Sequence, residues 1–241
     1  MSMDGFVDLV DDLLRVSDDK KEVVTKKSRS EVSVLDLVVS GDAEGLTQLL
    51  KDDADFAVNA RDPKTGRALL HEACARGDMG IVKLLLMKTE ADLMLRTMLG
   101  RCTPLHLAVS NNHRPIVFLL LSHGADALSR DRFGCSPLHY VKSPSVAKLL
   151  VQYGGKALDY NTKKKHAVES VSNFANSIRQ DSSIPVDKRD AALDVYKNLV
   201  KYLEKQAEAE YRAKLMNLQK IKKQTKEQAV LKSPKKGKRR I

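Results

Sequence analysis

The tetrapeptide Thr103-Pro104-Leu105-His106 returns as Ser136-Pro137-Leu138-His139, 33 residues later, and in weaker form as Ala68-Leu69-Leu70-His71, 35 residues earlier. A spacing this regular means that the chain builds one unit repeatedly. In the best-preserved unit Thr103 is placed to cap a helix, and Pro104 to fill its first turn, where a missing N–H costs nothing. Leu105, Ala108 and Val109 then share a helical face, and the small Ala108 permits close helix–helix approach. Pro115 opens a second helix in the same way, with Ile116, Val117, Leu119 and Leu120 as its buried stripe and Gly124 just past its end. Two helices of this size cannot bury their apolar faces alone, so neighbouring units must stack on them.

Thr-Pro-Leu-His at the head of a helix, recurring with a period near 33, resembles the ankyrin-repeat family. The resemblance implies an all-α solenoid of helix–turn–helix repeats, here four to five. A first repeat holds Val34 to Val39 with Asp36 in the histidine's place, then Gly41-Asp42 and Leu46, Leu49 and Leu50. The second runs through His71, Gly77-Asp78 and Ile81 to Leu86, and the third is the unit above. In the fourth, three residues are missing between the helices, and Ser143-Pro144-Ser145 makes the turn, which leaves its stacking angle open. A fifth, degenerate unit has Lys164 in place of the turn glycine and His166-Ala167-Val168-Glu169 in place of the signature. Terminal repeats lose the consensus because one face meets water, so this unit reads as a cap.

The expected layout is an acidic amphipathic helix and basic linker over 1–30, the repeats over 31–180, a long helix over 181–226 and a disordered basic tail over 227–241. At the N-terminus Phe6, Leu9, Val10, Leu13 and Leu14 fall at helical spacing, opposite Asp4, Asp8, Asp11 and Asp12. That helix reads either as a cap on the first repeat or as a detachable motif for a partner's groove. Beyond Pro185, Asp187 starts a helix whose apolar residues Leu193, Tyr196, Val200, Leu203, Ala207, Tyr211, Leu215, Leu218 and Ile221 step by three and four. The steps drift from a strict heptad between Leu203 and Leu215, against a regular long coiled coil. Its first half is expected to pack on the cap and its second half to project or meet a partner.

The net charge of +11 sits in the tail: residues 163–241 hold 21 Lys/Arg against 9 Asp/Glu, and the rest is near neutral. Lys222-Lys223, followed after a spacer by Lys235, Lys236, Lys238, Arg239 and Arg240, resembles a bipartite nuclear localisation signal. Ser233-Pro234-Lys235-Lys236 resembles a proline-directed phosphorylation site, at Ser233. A nucleic-acid contact and a merely solvated tail are the other readings of this charge. The expected location is the nucleus, the cytoplasm or both. No run approaches the ~18 apolar residues of a membrane span, and the acidic N-terminus lacks the layout of a signal peptide.

Catalysis is not expected. His71, His106 and His139 belong to the repeat signature, where the resemblance implies that the imidazole braces neighbouring backbone; they fall on successive repeats and do not converge. The chain has no Gly-x-Gly-x-x-Gly, Gly-Lys-Ser/Thr, Gly-x-Ser-x-Gly or His-Glu-x-x-His motif, and no Cys-x-x-Cys to hold zinc, so no cofactor is expected. Cys74 lies on a helix, and Cys102 and Cys135 hold equivalent positions of successive repeats, ~10 Å apart and beyond disulfide reach, so all three read as reduced thiols.

What remains is surface, and the resemblance implies that the hairpin tips and the exposed side of each first helix bind a protein partner. Those positions are Lys64 and Arg67, Met98, Leu99 and Arg101, Arg132 and Phe133, and, after each histidine, Glu72, Leu107 and Tyr140. Apolar residues ringed by arginine have the composition of an interface core, or they pack finger against finger. The function expected is a scaffold, adaptor or regulatory subunit. The alternatives are a nucleic-acid or chromatin factor using its basic tail, and a cytoskeletal or ciliary docking protein.

Overall fold

A computed structural model describes residues 34–52 and 57–232. The acidic N-terminal helix and linker, and the tail from Ser233 with Lys235, Lys236, Lys238, Arg239 and Arg240, lie outside the described residues. The described residues hold nine α-helices and no strands. These are α1 (Val34–Ser40), α2 (Ala43–Asp52), α3 (Leu69–Arg76), α4 (Met79–Lys88), α5 (Pro104–Ser110), α6 (Arg114–Ser122), α7 (Pro144–Gln152), α8 (Ala167–Gln180) and α9 (Val186–Lys232). A 3-10 turn, Pro137–Tyr140, stands between α6 and α7.

The helices form two rows. α1, α3, α5, the 3-10 turn and α8 pack in sequence along one row, and α2, α4, α6 and α7 along the other. α9 packs on both α7 and α8, so its first half takes the second-helix place of the fifth unit. One core runs through the stack, from Val38 and Leu46 through Ile81, Leu85, Leu105, Ile116, Leu120, Leu138 and Leu150 to Leu199 and Leu203.

Helix starts repeat the same chemistry. Pro104 sits in the first turn of α5 and Pro144 in that of α7, and the Ser143 hydroxyl accepts the Val146 N–H at 3.4 Å. Gly77 ends α3 at φ 85°, where a side chain would be strained, and an added Cβ would also strike the His113 ring at 2.5 Å. That ring reaches the Ala75 carbonyl of the preceding repeat at 3.1 Å, so glycine is required there twice over.

Two elements differ from expectation in length. The fourth repeat's first helix shrinks to a single 3-10 turn, because the three missing residues remove its second turn. The stack nevertheless stays closed, with Leu138, Val141, Val146, Ala147 and Leu150 buried. The last helix runs to Lys232, six residues past the expected boundary at 226, since no Gly or Pro interrupts it before Pro234.

Candidate protein-binding face

Between successive helix pairs the chain turns through a short hairpin finger, near residues 62–67, 97–102, 131–135 and 161–165. Each finger opens on a side-chain acceptor that folds the turn. Asp62 Oδ2 accepts the Thr65 N–H at 2.7 Å, and Thr97 Oγ1 the Cys102 N–H at 3.0 Å. Asp131 Oδ1 accepts the N–H groups of Phe133 and Cys135 at 2.8 and 2.9 Å, and Asn161 Oδ1 those of Lys163 and Lys165 at 3.0 Å each. Gly66 and Gly134 supply the left-handed residue in two fingers; Arg101 at φ 53° and Lys164 at φ 57° hold it in the others.

The fingers are joined into a ladder by single backbone bonds. Met98 N–H donates to Gly66 O at 3.1 Å, Arg132 N–H to Gly100 O at 2.9 Å, and Thr162 N–H to Phe133 O at 2.9 Å. A row of arginines, unforeseen from the sequence, braces the same edge. Arg61 Nε donates to Arg96 O at 3.0 Å, Arg96 Nη1 to Arg130 O, and Arg130 to Tyr160 O with an ion pair to Asp159. Each stands immediately before the residue that opens its finger, a regularity present in the sequence.

Each signature histidine serves two repeats. The N–H of Thr103 donates to His106 Nδ1 at 3.2 Å, and its hydroxyl lies 2.9 Å from the same nitrogen. Nδ1 is therefore the acceptor, which puts the ring proton on Nε2, and Nε2 reaches Cys135 O in the next finger at 3.1 Å. His71 does the same for Ala68 N–H at 3.2 Å, and its Nε2 reaches Leu95 O and Cys102 O. His139 takes the Ser136 N–H at 3.1 Å and reaches Lys165 O at 3.3 Å. Burial lowers the pKa of all three, that of His71 to about 4. None is left over for proton transfer at a shared site.

The cysteines are free, and burial raises every thiol pKa, that of Cys102 to about 12, which keeps them protonated. Among the described residues no group of three or more His, Cys, Asp or Glu could hold a metal ion. Among them, too, no helix is long and apolar enough to cross a membrane.

The ten expected contact positions divide into three sets. Lys64, Met98, Leu99, Arg101 and Arg132 are exposed at fingertips, Met98 and Leu99 by 67% and 70%. Arg67, Phe133 and Tyr140 are half-buried and already engaged. Arg67 pairs with Glu72 at 3.0 Å, and Arg132 lies 5.2 Å from the centre of the Phe133 ring. Tyr140 donates its hydroxyl to Asp131 and meets His106 edge-on at 6.1 Å; burial and the Asp131 charge push its pKa up. Glu72 and Leu107 are corrections, being only 6% and 2% exposed. Arg67 covers Glu72, and Leu107 is buried in α5, while Tyr140 at the equivalent position stays half-buried. Lys222 and Lys223 lie exposed on α9.

Stacked helix pairs, a bonded ladder of fingers and histidines that tie each helix start to the next finger define a repeat solenoid with a presented edge. A sequence model of ankyrin repeats, in three copies, matches residues 34–131. SMC5-SMC6 complex localization factor protein 1 of Homo sapiens is 41% identical over 96 residues, 39% of this chain and 9% of that protein. Palmitoyltransferase ZDHHC13 of Homo sapiens is 33% identical over 103 residues, 42% of this chain and 16% of its own length. Protein phosphatase 1 regulatory subunit 27 of Mus musculus is 32% identical over 130 residues, 54% of this chain and 81% of that protein. The chain thus spans under a tenth of the first of these and most of the last. It belongs to the ankyrin-repeat family.

Proposed function

We propose that this chain is a non-catalytic scaffold, adaptor or regulatory subunit that holds a protein partner on its fingertip edge. One observation carries the reading: Met98 and Leu99 stand about two-thirds exposed at the tip of a finger whose backbone is fixed from both sides. Large apolar side chains in water gain only when something covers them, and Lys64, Arg101 and Arg132 supply a cationic rim. Phe133 contributes through the neighbouring finger, since Thr162 holds its carbonyl and Arg132 covers its ring. The resemblance to a phosphatase regulatory subunit fits a regulatory role.

The test replaces Met98 and Leu99 together by Asp and titrates the protein captured by the wild type. Affinity should fall at least ~30-fold, about 2 kcal/mol, while the thermal midpoint stays put because both side chains are exposed. Undiminished binding by the folded variant would move the interface off this edge.

The basic C-terminal sequence supports action in the nucleus as well as the cytoplasm. Changing Lys235, Lys236, Lys238, Arg239 and Arg240 to Ala should shift a fluorescent fusion towards the cytoplasm, and Ser233→Asp should act in the same direction by adding negative charge. Equal nuclear fractions would reject the signal. The rival reading, a nucleic-acid factor, requires binding that weakens steeply with salt.

A further inference from the structure

The last helix is anchored for only half its length. Tyr196, Leu199 and Leu203 are buried against the final repeat. The anchored half ends at Glu210, whose carboxylate accepts the N–H groups of Ala157 and Leu158 at 2.7 and 3.1 Å. From Tyr211 to Thr225 every residue is exposed. Fifteen residues of α-helix are ~22 Å long.

Two properties of this stretch occur together. Tyr211, Leu215, Leu218 and Ile221, between 41% and 58% exposed, fall at steps of four, three and three, within about a third of the helix circumference. The same residues 211–225 carry five basic side chains, Arg212, Lys214, Lys220, Lys222 and Lys223, and no Asp or Glu. Arg212 reaches back to Glu208 at 3.4 Å, and the lysines have no ion-pair partner among the described residues.

We propose that residues 211–225 dock as a helix into a partner protein's groove with an apolar floor and a carboxylate rim. Such a groove takes anchors at i, i+4, i+7 and i+10 and meets the flanking cations with opposite charge. A second copy of this helix would set two all-basic segments side by side with no acid on either. Lys222 stands within the stripe, four residues after Leu218 and seven after Leu215; the apolar layer of a bilayer offers it no fixed counter-charge there, whereas a protein groove can place a carboxylate beside it. A phosphate backbone would satisfy the charge and leave the four apolar side chains in water. The partner on this helix is separate from the one on the fingertips: α9 packs on α7 and α8 at the end of the stack, whereas Met98 and Leu99 stand on the second of the four fingers.

The probe is calmodulin, whose Met-rich hydrophobic groove opens with calcium. Full-length protein titrated calorimetrically should bind it one to one with calcium and not in EGTA. Leu215→Glu with Leu218→Glu should weaken binding at least tenfold and leave the thermal midpoint unchanged, since both leucines are exposed. Parallel arms measure sedimentation with phosphatidylserine vesicles and the mass of the free protein. Absence of calcium-dependent binding overturns the proposal, as does binding that the double variant retains. Vesicle binding or dimerisation abolished by the same two substitutions, without calmodulin binding, assigns the stripe to a bilayer or a second copy and overturns it equally.

Discussion

Leu105→Ala is expected to cost ~2–5 kcal/mol, the cost of lost transfer energy plus a cavity that a packed stack cannot close. Leu105 is 1% exposed in α5, and α5 is packed between α3 and the 3-10 turn. In a solenoid each repeat is stabilised only by its neighbours, so the loss spreads to the repeats on either side. Hydrogen exchange should accelerate in α3 and α7 as well as in α5. An unchanged midpoint with normal protection would mean that Leu105 does not lie between repeats, and the repeat alignment would fall with it.

Acid should destabilise the stack more than any single cavity. His71, His106 and His139 are neutral when folded, because burial lowers their pKa values and Nδ1 must accept a backbone N–H. An unfolded histidine titrates near 6.5, so below that pH the unfolded chain takes up protons that the folded chain refuses. Stability is therefore full above pH 6.5 and falls as pH drops from there towards the folded values. For His71, whose folded value is about 4, the loss across that window is ~3 kcal/mol. His106 and His139 add to it in the same direction, and the nearby Asp131 carboxylate opposes part of their shift. Urea midpoints at pH 7.5 and 5.0 measure the effect. His71→Asn should be less stable at pH 7.5 and show a shallower pH dependence; equal midpoints at both pH values would show that the rings are not buried braces.

The repeat signature was legible because it encodes backbone chemistry. Thr103, Pro104 and His106 act within four residues of one another, and local spacing is what a sequence displays. Lys164 was readable as a turn position for the same reason. Long-range partners were not. That His106 reaches Cys135 O, 29 residues away, or that Arg96 holds Arg130 O, follows only once the repeats are stacked. Glu72 and Leu107 were misplaced on the surface because the period gives each position's repeat but not the angle at which first helices meet. Met98 and Leu99 were read correctly as exposed, since a two-sided turn leaves its tip nothing to pack against. The exposed stripe of α9 was visible as periodicity, but where anchoring stops depends on Glu210 meeting a loop more than fifty residues earlier.

The measurement closest to the central claim places a photo-cross-linking amino acid at Leu99 and, in a second protein, at Phe118. Both positions are exposed, by 70% and 51%, but Phe118 belongs to the second-helix row and not to a finger. If the fingertip edge is the interface, the Leu99 probe should link one defined protein in cells, the link should vanish when Met98 is changed to Asp, and the Phe118 probe should give no specific product. Specific linking from Phe118 with none from Leu99 would contradict the account.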